Sequence, residues 1–141
     1  MNENDNKKKV LIVDDEPNVR RLSHTILSKN FNVLEAEDGR QAIEMATNQK
    51  PDIILMDLMM PKMDGLTACL EIKKNPVTKS IPVIMVTAIG FELNVKLSQQ
   101  MGATGYLTKP FSPQDLINTI VKVLENREVQ VSLGGSVILS R

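Results

Sequence analysis

Apolar residues follow two alternating rhythms along this chain. Continuous apolar runs at 10–13 (Val-Leu-Ile-Val), 53–56 (Ile-Ile-Leu-Met) and 83–86 (Val-Ile-Met-Val) have the length of strands buried on both faces. Residues 31–36 and 104–108 read as two further strands, and Pro82 is tolerable near the start of the strand at 81–87. Between these runs the apolar positions shift to helical spacing, as in the stripe of Ala42, Ile43, Met45 and Ala46. Helices are predicted over about 18–29, 38–49, 64–74, 91–101 and 113–126. Asp38 is a candidate N-cap, Asn75-Pro76 a stop, Gly102 a C-cap, and Ser112-Pro113 a helix start.

Five strands and five helices in strict alternation imply an α/β fold, a parallel, doubly wound sheet with right-handed crossovers. The expected organisation is a disordered polar tail at 1–8, one domain over 9–126, and a C-terminal tail at 127–141. In that tail Val129, Val131 and Leu133 alternate with polar residues. Gly134-Gly135 and then Val137-Ile138-Leu139 follow. A linker and a small β-hairpin are both open readings.

Composition narrows the function classes. In 141 residues, 17 Lys and Arg balance 17 Asp and Glu, which gives no reason to expect nucleic acid or an anionic membrane as a direct partner. The single cysteine, Cys69, excludes an internal disulfide and reads as a small buried hydrophobe. Lys7-Lys8-Lys9 precedes an apolar run too short for a secretory signal, and no run reaches transmembrane length. A soluble, cytoplasmic protein is expected.

The chemistry lies where strands end. Asp57 closes the run at 51–56 and opens a loop, Met59-Met60-Pro61-Lys62-Met63-Asp64-Gly65. The first strand ends in Asp14-Asp15 and the last in Lys109-Pro110. In an open parallel sheet these residues share one edge, where such folds build their sites. A lone Asp after a strand is an ordinary turn residue, but three at one edge repel. Two carboxylates about 5 Å apart cost about 3 kcal/mol at an effective dielectric of 20. An all-oxygen set without His or Cys calls for a hard cation, with Mg²⁺ the obvious one. Such a pocket suits phosphoryl transfer to a carboxylate, with Lys109 neutralising phosphoryl oxygens. Thr87 ends the fourth strand and can offer its hydroxyl, and Ala88 a backbone N–H.

Four segments carry a resemblance: Val-Asp-Asp-Glu-Pro at 13–17, Asp57 with the loop at 59–65, Val-Thr-Ala at 86–88, and Gly-Ala-Thr-Gly-Tyr-Leu-Thr-Lys-Pro-Phe at 102–111. Over about residues 9–126 the chain resembles the receiver domain of two-component response regulators. The resemblance implies a flavodoxin-like (βα)5 fold with strand order 2-1-3-4-5. It implies Asp57 as phosphoacceptor and Mg²⁺ held by Asp15, Asp57 and the backbone carbonyl of Met59, with Asp14 assisting. Lys109 would pair with Asp57 and then with the phosphoryl group, and the Lys109–Pro110 bond would be cis. Thr87 and Tyr106 would form the switch pair, the ring turning inward as the hydroxyl moves to the phosphoryl group.

The implied partners are a sensor histidine kinase or histidine phosphotransfer protein, an unknown downstream protein, and a second copy in a phosphorylation-dependent homodimer. Such a domain catalyses only its own phosphorylation and slow dephosphorylation. Two alternatives are weighed beside it. The chain can be the regulatory part of a longer DNA-binding or enzymatic regulator. An aspartyl-nucleophile phosphatase also uses a strand-end Asp, a Lys and Mg²⁺, but it wants a second Asp two residues past the nucleophile, where this chain has Met59. His24 reads as a surface or packing residue, since no helical hairpin presents it. The methionines near Asp57 read as gap-fillers rather than ligands of a hard ion.

Overall fold

The computed structural model describes residues 7–88, 96–97, 99–125 and 136–138. Its strands are β1 (Lys9–Val13), β2 (Asn32–Ala36), β3 (Ile53–Asp57), β4 (Val83–Thr87), β5 (Gly105–Thr108) and β6 (Ser136–Ile138). The helices described from end to end are α1 (Pro17–Leu27), α2 (Gly39–Gln49), α3 (Gly65–Lys74) and α4 (Pro113–Leu124). The helix expected over 91–101 falls largely outside the described residues. Within it, 96–97 and 99–100 are helical, and Gly102 follows at φ 95°, the left-handed geometry of a helix-ending glycine.

Strands β1 to β5 pair in parallel in the order 2-1-3-4-5, as expected. The parallel part of the sheet has the five strands expected. Residues 136–138 add a sixth strand, antiparallel to β5, with Tyr106 opposite Val137. A short strand in the tail finds its partner in the β5 edge that the parallel strands leave open. The hairpin reading needed residues 129–133, which lie outside the described residues.

Alternation along each strand builds two cores. Leu11, Val13, Ile54, Met56, Val83, Met85 and Tyr106 face one way, against Ala42 and Ala46 of α2 and Ala68, Cys69 and Ile72 of α3. Val10, Ile12, Ile53, Leu55, Ile84, Val86 and Leu107 face the other, against Leu27 of α1 and Leu116, Ile120 and Val123 of α4. Both faces are covered, which is why the strands read as unbroken apolar runs.

The helices start where their caps allow. Asp38 accepts from the Gln41 N–H, Asp64 accepts from the Thr67 N–H, and Ser112 with Asp115 forms a reciprocal capping box. Each cap stands after a strand or loop, so each helix begins near the carboxyl edge of the sheet. Among the described residues, no helix is long and apolar enough to cross a membrane.

Candidate functional site

Register brings the chemistry together. Val13 pairs with Met56, so the next residues, Asp14 and Asp57, stand side by side on adjacent strands. Asp57 pairs in turn with Val86, and Thr87 with Thr108, which puts Thr87 and Lys109 at the same edge. The order of strands reverses between β1 and β3, and doubly wound sheets open their crevice at such a point. The carboxylates of Asp14, Asp15 and Asp57 have ligand atoms within 4.8 Å of one another. Asp14 and Asp57 are buried and Asp15 is exposed, so the cluster opens to solvent on the Asp15 side.

Lys109 enters from β5. Its Nζ donates to Asp14 Oδ2 at 2.9 Å and lies 3.7 Å from Asp57 Oδ2. The sequence reading paired Lys109 with Asp57; in the structure its hydrogen bond goes to Asp14, with Asp57 at ion-pair distance. The Lys109–Pro110 peptide bond is cis. The remaining Asp14 oxygen, Oδ1, accepts the Glu16 N–H at 2.9 Å, and Asp57 Oδ1 accepts the Met59 N–H at 3.3 Å. Below Asp14 and Lys109 lies an apolar hollow lined by Ile12, Leu55, Val86, Phe111 and Leu116.

Burial and the neighbouring charges set the electrostatics. Burial pushes the Asp57 carboxyl from 3.8 up to about 6; Lys109 opposes the rise, Asp14 adds to it, the Met59 N–H opposes it, and Asp15 adds again. For Lys109, burial disfavours the charge, but the bond to Asp14 and the charges of Asp57, Asp14 and Glu16 more than offset it, and its pKa is raised. One ammonium therefore does not neutralise the cluster. The residues fit a hard divalent ion: three carboxylates converge, no His or Cys accompanies them, and Asp57 carries charge its surroundings do not compensate.

Gly65 makes the arrangement possible. A Cβ there would lie 2.2 Å from the Asp57 carbonyl oxygen and 2.9 Å from Met85 Cε. Only glycine lets the 59–64 loop return this closely over β3, with the Gly65 N–H donating to the Leu58 carbonyl at 2.9 Å.

Other candidates take defined places. Met59 is 62% exposed beside Asp57, Ala88 is exposed just past β4, and Tyr106 is fully buried. The ring thus already lies inside, in the core shared with α2 and α3. The Thr87 side chain is outside what the structure describes. Cys69 is buried and its thiol is pushed by burial up to about 11, which leaves it unreactive. His24 is not a bystander: its Nδ1 lies 2.5 Å from Glu35 Oε2, and Glu35 also takes Arg20. Sequence reasoning missed Arg20 and Glu35. The signal available was faint, an Arg three residues into α1 and a charged residue in a strand that is otherwise apolar.

Comparison with known proteins identifies the fold and its family. Residues 10–121 match the response regulator receiver domain. The transcriptional regulatory protein ResD of Bacillus subtilis is 41% identical over 128 residues, 90% of this chain and 52% of that protein. The phosphate regulon transcriptional regulatory protein PhoB of Pseudomonas aeruginosa is 37% identical over 134 residues, 91% of this chain and 58% of that protein. The chain thus spans about half the length of these relatives. Among solved structures, chemotaxis protein CheY4 of Vibrio cholerae superposes with a TM-score of 0.80 at 32% identity, covering 83% of this chain and 98% of that one. With the strand order, the acidic cluster and the family match in agreement, the chain belongs to the response regulator receiver domains.

Proposed function

We propose that this domain takes a phosphoryl group onto Asp57 with Mg²⁺ bound, and that the change alters a protein-interaction surface. The observation that carries the reading is the convergence of Asp14, Asp15 and Asp57 within 4.8 Å beside the Lys109 ammonium. Asp15, Asp57 and the Met59 carbonyl would hold the ion, with Asp14 assisting. When bound, Mg²⁺ supplies the positive charge that the pocket lacks and that a phosphoryl group requires.

The chain's own groups do the rest. The ionised Asp57 carboxylate attacks phosphorus; the new O–P bond forms as the bond to the donor imidazole nitrogen breaks, and the imidazole leaves as a neutral ring once protonated. Lys109 stands 3.7 Å from Asp57 Oδ2 and pairs with a phosphoryl oxygen after transfer. The Thr87 hydroxyl and the Ala88 N–H are assigned to the remaining oxygens. No second Asp stands two residues past Asp57, so a general acid for multiple-turnover hydrolysis is missing at that position. Self-phosphorylation and slow loss of phosphate remain as the chemistry.

The donor is a histidine kinase or histidine phosphotransfer protein. The output surface is assigned to the β5 edge with its flanking helices, α4 and the one expected over 91–101, which lies largely outside the described residues, because Tyr106 sits on β5 one row below the site and Lys109 ends the same strand. A second reading concerns the whole protein: this domain as the receiver half of a longer transcriptional regulator. It is favoured by relatives such as ResD and PhoB, named as transcriptional regulatory proteins and about twice as long.

Beryllofluoride, which stands in for the phosphoryl group, tests the proposal. The chain has one tyrosine and no tryptophan, so intrinsic fluorescence reports Tyr106. A fluorescence change that needs both Mg²⁺ and beryllofluoride, and is lost in Asp57→Asn, is expected. A change that persists in Asp57→Asn would refute it.

A further inference from the structure

We propose that Arg20 is a positioning residue for the acidic pocket, fixing the Asp14-Asp15 turn in its ion-binding shape, with Glu35 as its anchor. The inference rests on the reading of that pocket as a Mg²⁺ site.

Arg20 lies on α1, three residues past its proline start, with its side chain 16% exposed. Its Nη1 donates to the Asp14 backbone carbonyl at 2.7 Å, and its Nε donates to Glu35 Oε1 at 3.0 Å. Glu35 sits on β2, and its other oxygen meets His24 Nδ1 at 2.5 Å. One planar guanidinium therefore ties three elements together: the turn after β1, the helix it enters, and the neighbouring strand.

The effect falls on residue 14 itself. The Asp14 N–H donates to the Ala36 carbonyl at 3.1 Å, and Asp14 Oδ1 accepts from Glu16 N–H. The Arg20 bond to its carbonyl fixes the plane of the Asp14–Asp15 peptide. That plane decides where the Asp15 carboxylate points, and Asp15 is the exposed member of the cluster. Groups that orient ligands from behind typically change metal affinity by about 10- to 100-fold when removed.

Charge and position pull in opposite directions, which makes the role separable. Arg20 is a cation near an anionic cluster, so a purely electrostatic role means that removing it tightens Mg²⁺ binding. Positioning means that removing it weakens binding. Arg20→Lys sharpens the contrast, because lysine keeps the charge but lacks the rigid fork that reaches Asp14 and Glu35 together.

Calorimetric titration of Mg²⁺ into the wild type, Arg20→Lys, Arg20→Gln, Glu35→Gln and the Arg20→Gln/Glu35→Gln double variant tests this. Thermal unfolding without metal confirms that each variant is folded. The dissociation constant should rise about tenfold in Arg20→Lys and Arg20→Gln. Glu35→Gln should weaken binding in the wild-type background and add little in Arg20→Gln, the mark of one coupled unit. Folded Arg20 variants with unchanged or tighter Mg²⁺ binding overturn the proposal while leaving the site intact. A wild type that binds no Mg²⁺ overturns the reading beneath it, and the proposal with it.

Discussion

Lys109 donates its hydrogen bond to Asp14, at 2.9 Å, while standing 3.7 Å from Asp57. The ammonium is thus held at the rim of the pocket by the acid that is not the proposed phosphoacceptor, close enough to shift to a phosphoryl oxygen on Asp57. Removing it takes one positive charge from an anionic cluster. Lys109→Ala should bind Mg²⁺ as well as the wild type or more tightly, yet lose the beryllofluoride-driven change in Tyr106 fluorescence. Loss of Mg²⁺ binding with the fluorescence change intact would show that the lysine's part is wrongly assigned.

Asp57 should destabilise the metal-free fold. Its folded pKa, about 6, lies above its ordinary 3.8, so the native state holds more protons between those values. Stability without metal therefore falls as pH rises from about 4 to about 6 and stays low above that, whereas Mg²⁺ restores it. Lys109 contributes the opposite sign: its raised pKa stabilises below its ordinary value and is lost only at higher, alkaline pH. Asp57→Asn should stabilise the metal-free protein at pH 7 by up to about 3 kcal/mol and flatten the acid-side dependence. Denaturant unfolding in chelator across pH 4–8 checks both, and a destabilised Asp57→Asn would contradict the burial argument.

Much of this was legible in the sequence. Apolar runs of strand length, separated by helical stripes and Asp or Ser caps, are enough for a doubly wound sheet, because each signal is local. The site was legible for the same reason: parallel strands send every carboxyl end to one edge, so Asp14, Asp15, Asp57 and Lys109 meet whatever the loops do. What was not legible depends on distances between elements. The preference of Lys109 for Asp14 is a matter of tenths of an ångström. The Arg20–Glu35–His24 group joins residues 15 and 11 apart across a helix and a strand, with no fixed spacing to betray it. The place of β6 follows from an open edge on β5, which is a property of the folded sheet.

Gly65 should resist substitution. At the first position of a helix, Gly→Ala is ordinarily stabilising by about 0.4–1 kcal/mol where the backbone permits it. Here the added Cβ would meet the Asp57 carbonyl at 2.2 Å. Gly65→Ala should destabilise by about 1–3 kcal/mol, as overpacking does, and should slow phosphorylation by displacing Asp57. Thermal melts with acetyl phosphate kinetics test it, and a stabilised variant with normal kinetics would contradict the close approach.

The acyl phosphate should be long-lived. Residues two past Asp57 and two past Thr87 flank the approach of water by resemblance to the family. They are Met59, exposed and apolar, and Ile89, which lies outside the described residues. Met59→Asn should shorten the lifetime by about tenfold, below the roughly 10²–10⁴-fold of a fully positioned proton-transfer group. Phosphate release after removal of the donor measures it, and an unchanged lifetime would count against shielding by Met59.

Strand β6 should protect the β5 edge. Truncation after residue 126 removes the partner of Gly105, Tyr106 and Leu107. Their outward amides should then exchange faster by hydrogen–deuterium exchange, while β1 and β3 keep their protection. Equal protection with and without the tail would show that β6 does not hold this edge.

The claim that Asp57 accepts a phosphoryl group is tested most directly by intact-protein mass spectrometry after incubation with acetyl phosphate. With Mg²⁺ the wild type should gain one phosphoryl group, and Asp52→Asn should gain it equally. Chelator should abolish the gain, as should Asp57→Asn. A phosphoryl group on Asp57→Asn at the wild-type rate would contradict the assignment.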